Sequence, residues 1–405
     1  MPLFARLFEK NAVRAALMCL LGLLACLSLY AGIKNALVYS QDFQWDAAKA
    51  LSMRLDPYEL SKDQKSAAEY PELEQFYRMF TDRGLKQNME ANQFPSLLVL
   101  LWPMTLFSPQ TAKVVWLALN LLFTGGIVWL LRKTFFEKAK MFDFAVLMLL
   151  MLAGTPYRNQ LGVGQHTLFA FFFFMLAVYF ERSRDIKNKG MQTAAVSLCL
   201  FVSYFKYTLT APLALYILYR KKYKEVVLSV LGHAALTGIC ALWLDRSFIY
   251  LIKAPLEIAS RLTSEGGIDL GVLLGAKAGM AAAAVIALLL VFMAVKLPAD
   301  GEYILFSVLI LWSLILTYHR TYDFFVFSVA PLLFCGRLSE ETGEKIKNAL
   351  ACWYTVLLVA IYFVLRIFSE NTASKIAVGI LYYGFTIFVS ILAVKMLRDK
   401  NKDNG

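Results

Sequence analysis

Continuous apolar blocks, roughly fifteen to twenty-five residues each, divide this chain from end to end, and each is long enough to cross a bilayer as a helix. A transmembrane barrel is excluded because the blocks are unbroken rather than alternating. Of the 405 residues, 59% are hydrophobic and 17% charged, and the mean hydropathy is +0.57. A soluble protein carries about 25% charged residues. The expected fold is therefore an all-α polytopic membrane protein. The net charge of +12 does not imply nucleic acid, because Lys and Arg fall in short loops, as cytoplasmic loops require. All six cysteines sit in apolar blocks without a CxxC pair, so neither a metal centre nor a disulfide framework is expected.

Loop charge and block length give a topology. The run 15–33 follows Arg6, Lys10 and Arg14 and reads as an uncleaved first span leading outward. The interval 34–110 is then external. It ends in the apolar segment 94–107, whose fourteen residues and two prolines (Pro95, Pro103) suit a re-entrant or interfacial piece better than a crossing. Irregular backbone at that depth needs protein or a wet cavity beside it. The bundle 111–338 follows, with the segment 156–166 and the loops 245–270 and 318–323 outside. The run 192–219 lies between two basic loops, so it must turn outside, near Lys206 and Pro212. A hairpin and basic tail complete 339–405. The sum is one integral-membrane domain of about twelve spans with both termini cytoplasmic.

The organising stretch is the polar segment 39–58, which carries Asp42 and Asp46 beside the membrane. A helix beginning near Asp42 and ending at Pro57 would put both carboxylates on one face. They could simply favour a helix N-terminus, or one could act as a general base on a hydroxyl. A divalent cation is possible, although one or two carboxylates make a weak metal signal.

Lys206 is a charge within an otherwise apolar run, a functional candidate by default unless it snorkels to the surface. Arg158 and Arg320 suit phosphate. Gln165 and His166 precede a helix whose free N–H groups favour anions. His319 and Asp323 complete the polar set. By the loop-charge topology, every one of these groups falls on the same, outer side. His233 reads as a helix–helix hydrogen bond, and Phe171 to Phe174 as packing.

With these residues in view, the chain resembles the polyprenyl-phosphate-sugar-dependent glycosyltransferases of the GT-C superfamily, nearest to glycosyltransferase family 87. The resemblance is carried by Asp42 in SQDFQWDAAKAL, Asp56-Pro57-Tyr58, Phe94-Pro95, Trp102-Pro103, Gly164-Gln165, Lys206 before Pro212, and His319-Arg320 with Tyr322-Asp323. It implies a GT-C-like bundle with a large first external loop carrying the catalytic aspartate, which maps onto Asp42. It implies an inverting transfer of mannose or a similar sugar from a polyprenyl-phosphate donor to a glycan or glycolipid acceptor, on the extracytoplasmic face and without a nucleotide sugar. Met53-Arg54-Leu55 stands where a glycine is usual, and Phe94-Pro95-Ser96 where a double proline is usual. In this scheme Asp46 orients the acceptor, and Arg158, Lys206 and Arg320 bind the leaving phosphate. A transporter of an anionic or sugar-linked lipid would use the same charges at mid-depth, but the internal duplication usual in transporters is absent. A non-catalytic subunit of an envelope complex would tolerate loss of Asp42.

Overall fold

The computed structural model describes residues 11–40, 43–62, 69–85, 88–261, 267–298, 301–335, 344–364 and 372–403. Every regular element among them is helical. Asp42 lies outside the described residues.

Helix α1 is Asn11–Tyr39, followed by α2 Trp45–Ser52, α3 Pro57–Lys62 and α4 Pro71–Thr81. Helix α2 starts at Trp45, with Gln44 before it in left-handed backbone (φ 58°, ψ 30°). Asp42 therefore precedes the helix, and the premise that it shares a helical face with Asp46 does not hold. Nor does Pro57 close that helix: the chain leaves it at Ser52, passes left-handed Arg54 (φ 61°) and uses Pro57 to open α3. Proline suits a first helical position, where its missing N–H costs nothing.

Segment 94–107 is a short helix, α5 Pro95–Leu98, continued by a 3-10 stretch Val99–Leu106 with Pro103 inside. Helix α6, Pro109–Thr134, begins at an Ser108 cap whose hydroxyl accepts from the Thr111 N–H. Helices α7, Met141–Ala153, and α8, Thr155–Val163, meet at a 53° bend. Loop charge places the segment 156–166 outside without giving it a secondary structure. Most of it is helical because its polar groups are buried against other helices, where only intrahelical bonds satisfy the backbone.

Helix α9 is Thr167–Arg182 and α10 is Lys189–Ser203. The following run breaks at Lys206 (φ −116°, ψ 64°) between a 3-10 turn, Tyr204–Lys206, and α11, Tyr207–Leu213. The break falls where the sequence placed a turn. Then come α12 Leu215–Tyr219, α13 Tyr223–Leu244, α14 Phe248–Arg261, α15 Leu270–Leu274, α16 Ala276–Lys296 and α17 Glu302–Leu316. A 3-10 stretch Thr321–Cys335, α18 Glu344–Val359 and α19 Thr372–Asp403 complete the chain. Six described helices are long and apolar enough to cross a membrane, or seven if the bent α7–α8 pair counts as one span. Three shorter apolar stretches, Pro95–Leu106, Glu302–Leu316 and Asn348–Tyr362, add to these. Large apolar side chains such as Leu122, Leu242 and Leu288 are exposed on the outer helices. Water would reject such a surface and lipid accepts it.

Helix α17 is the axis of the bundle, buried along almost its whole length. At its start Glu302 accepts from Tyr216 and pairs with Arg182 at 3.2 Å, while Arg220 pairs with Glu181 at 3.1 Å. Removing one partner from such a buried set leaves a charge without compensation. At a rise of about 1.5 Å per residue, the helix carries the chain about 22 Å from this anchor to its other end. There it releases Thr317 to Asp323.

Candidate functional site

At that end lies a cavity of about 400 Å³. Its wall includes Gln44, Gln93, Gln165, His166, Lys206 and Arg320, together with Tyr207, Asp269 and Tyr322. Side chains separated by more than 270 positions in sequence thus share one hollow.

Lys206 sits at the break between α10 and α11 because a helix interior would have aimed its ammonium into apolar packing. Its Nζ lies 3.3 Å from Asp323 Oδ2 and 3.5 Å from Gln165 Oε1, over the Tyr322 ring. Asp323 is fully buried and is the hub of the arrangement. It accepts from His319 Nδ1 at 2.8 Å and from the Thr167 hydroxyl as well as from Lys206. Burial alone would push its carboxyl up, but Lys206 and the His319 and Thr167 hydrogen bonds outweigh it and hold the group at about 2. Asp323 is therefore ionised and pairs with Lys206, and the wall carries the cations Lys206 and Arg320 beside the acidic side chains of Glu90 and Asp269. Gln165 Nε2 donates to the Tyr322 hydroxyl at 2.9 Å, and the Arg320 Nε donates to the Tyr318 hydroxyl at 2.6 Å.

His166 packs at a tilt against Phe205, ring centroids 4.3 Å apart, and against Trp116. Burial lowers its pKa to about 3, so the ring is neutral. Gly164 sets the turn into this corner at φ +72°, and a side chain there would put a Cβ 2.3 Å from Ser40 Oγ. Trp116 Nε1 donates to the Gly164 carbonyl at 2.7 Å.

The residues singled out in the sequence thus divide into groups. Gln165, His166, Lys206 and Arg320 line the cavity. Asp323 and His319 stand behind that wall and hold it. Asp46 is not in the wall. It is buried beside α4, accepting from its neighbour Ala47 N–H at 2.9 Å and from the Tyr77 hydroxyl at 3.0 Å. Burial, with the Asp46 carboxylate adding to it, pushes the Tyr77 phenol far up. Arg158 is not in the wall either: it lies on α8, its guanidinium donating to Asn159 Oδ1 at 3.2 Å. His233 makes the expected interhelical contacts, to Ser96 Oγ at 3.0 Å and the Phe201 carbonyl at 2.8 Å.

Sequence reasoning missed Asp269. Its Oδ1 accepts from Gly271 and Val272 N–H and so caps α15, while its Oδ2 is buried, and burial raises its pKa. The signal was an Asp after Gly266-Gly267 at a helix start. Among the described residues, no group of three or more His, Cys, Asp or Glu could hold a metal ion.

Beside the cavity, and sharing Tyr207 with it, runs an apolar groove of about 340 Å³ lined by Phe94, Leu97, Tyr204, Ala211, Phe248 and Ile252 among others. A charged hollow thus adjoins a channel fit for hydrocarbon.

No curated protein matches the chain, and no solved structure does. The family model described as glycosyltransferase family 87 matches residues 95–333. That interval begins at the α5 segment, ends within the 3-10 stretch after Asp323, and contains Lys206 and Arg320. Because the match covers more than half of these 405 residues, the chain belongs to glycosyltransferase family 87 and is a membrane glycosyltransferase.

Proposed function

We propose that the protein transfers a sugar, mannose or a similar one, from a polyprenyl-phosphate donor to a hydroxyl of a glycan or glycolipid, with inversion and on the extracytoplasmic face. One observation carries this reading: the cavity that holds Lys206 and Arg320 and the apolar groove share Tyr207 in their walls. A lipid phosphate has those two parts joined in that order. Its isoprenoid tail would lie along Phe94, Leu97 and Ala211, and its phosphate against Lys206 and Arg320.

In the reaction, the acceptor oxygen attacks the anomeric carbon while its proton passes to the Asp42 carboxylate. The bond from that carbon to the phosphate oxygen breaks, and its electron pair leaves on the phosphate. Fixed cations aimed at the oxygen where charge develops lower the barrier. Lys206 and Arg320 are those cations. Asp323 keeps the Lys206 ammonium in place, and Gln165 braces it from the other side. Asp42 precedes Gln44 by two residues in sequence, and Gln44 is in the cavity wall, which supports the choice of Asp42 as base.

We further assign about twelve passes and cytoplasmic termini. The loops at 132–140, 182–189 and 220–224, rich in Lys and Arg, would then share the cytoplasmic side. The test is to incubate purified protein with a panel of polyprenyl-phosphate sugars and measure release of free lipid phosphate. Release from at least one member with an acceptor present is expected. Release from none, alongside turnover of a nucleotide sugar, would discard the donor class.

A further inference from the structure

Gln44 and Gln93 stand in the cavity wall with one end of each amide unpaired. Each is more than nine-tenths buried. Gln44 Nε2 donates to the Glu90 carbonyl at 2.9 Å, and because a carbonyl can only accept, the amide orientation is fixed. Its Oε1 is therefore the acceptor left over, buried and without a hydrogen-bond partner among the described residues. Gln93 Nε2 donates to Asn92 Oδ1 at 3.3 Å, and its Oε1 is likewise buried and unpartnered. Buried acceptors left without donors are costly, and native structures retain them where a ligand or ordered solvent completes the bond.

The backbone at Gln44 adds a second, independent observation. It occupies the left-handed region, at φ 58°, where glycine or asparagine is favoured. It also takes the cap position of α2 without its side chain capping the helix. A glutamine held there at a conformational cost, with its side chain turned to Glu90, reads as retained for what its amide does. These carboxamides are neutral, and the cations Lys206 and Arg320 lie elsewhere in the same wall. A ligand group that donates hydrogen bonds, carries no charge and sits next to a phosphate is a sugar ring.

We propose that Gln44 and Gln93 form a sugar-hydroxyl subsite, their two open oxygens accepting from hydroxyls of one saccharide unit. This rests on the lipid-phosphate donor reading above. The saccharide is either the donor's glycosyl group or the acceptor glycan, and the two sources separate by experiment.

The protein would be reconstituted in nanodiscs and titrated with undecaprenyl phosphate and with undecaprenyl-phosphate mannose. In parallel, KM for methyl α-mannoside as acceptor would be measured. Gln44→Met and Gln93→Met keep side-chain length and remove the amide. Gln44→Gly suits the backbone and guards against misfolding. Gln93→Glu keeps an acceptor oxygen, since the Asn92 amide can turn to donate to it. The Met and Gly variants should bind bare undecaprenyl phosphate within two-fold of wild type. They should lose at least ten-fold either in affinity for the mannosylated lipid, which assigns the donor, or in acceptor KM, which assigns the acceptor. Gln93→Glu should recover most of that loss. Unchanged sugar arms in every variant would overturn the subsite alone, as would an equal loss for the bare lipid. Wild-type protein that binds neither lipid would overturn the donor reading and this inference with it.

Discussion

The Lys206 ammonium stands 3.3 Å from the Asp323 carboxylate, and both side chains are withdrawn from solvent. Lone buried charges are far costlier than paired ones. Asp323→Ala should therefore destabilise the protein by about 3–5 kcal/mol. Lys206→Met should cut turnover at least about 100-fold, the scale of losing one charge-stabilising group. The double variant Lys206→Met/Asp323→Asn should regain folded yield without regaining transfer. Thermal unfolding in detergent and the lipid-phosphate release assay measure the two effects. A double variant as unstable as Asp323→Ala would contradict the pairing.

The two aspartates of the first polar segment should behave differently. Asp42→Asn should leave expression and Tm as in wild type and abolish transfer, because the role assigned to it is chemical. Asp46→Asn should cost about 1–3 kcal/mol of stability, because its carboxylate accepts from the buried Tyr77 hydroxyl. Tyr77→Phe should reproduce most of that loss. Normal transfer by Asp42→Asn would remove the base assignment.

His166 supplies a pH test. Its folded pKa of about 3 is below the unfolded value. The neutral ring thus contributes stability that is present above about pH 6.5 and is lost as pH falls towards about 3. At pH 5 the loss from this one group is about 2 kcal/mol. His166→Phe keeps the ring contacts with Phe205 and Trp116, so its Tm should fall less than that of wild type between pH 7 and about 5. Parallel Tm curves for the two proteins would show that His166 does not titrate in this way.

The apolar groove should discriminate chain length. Ala211→Trp would fill part of the channel and should raise KM for an undecaprenyl donor at least five-fold, with a much smaller effect on a short citronellyl donor. An equal effect on both would mean that the tail lies elsewhere.

Much of this architecture was legible in the sequence. The apolar blocks are visible because bilayer crossing demands length, and the break at Lys206 because a charge inside such a block is expensive. Convergence of Gln165, His166, Lys206 and Arg320 followed from loop charge and from the family pattern. Other features were hidden for identifiable reasons. The helix at 155–163 reads as a polar segment because its burial, with Tyr157 meeting Thr124 and Gln160 fully enclosed, is not recorded in local composition. Asp46 has the same residue type as Asp42, and only the Tyr77 hydroxyl, thirty-one positions away, reveals its different surroundings. Arg158 lies close to Gln165 in sequence, yet the turn at Gly164 separates it from the cavity wall. Gln44 and Gln93 look like ordinary polar residues until both are found in the wall of one hollow, each with a buried, unpartnered amide oxygen.

The crowding at Gly164 bears on any effort to retune sugar preference. With Ser40 pressed against the space a side chain would need and φ at +72°, position 164 admits glycine alone without rebuilding the corner that presents Gln165 and His166. Combinatorial libraries seeking new specificities should hold that glycine constant and diversify the cavity wall at 92 and 93.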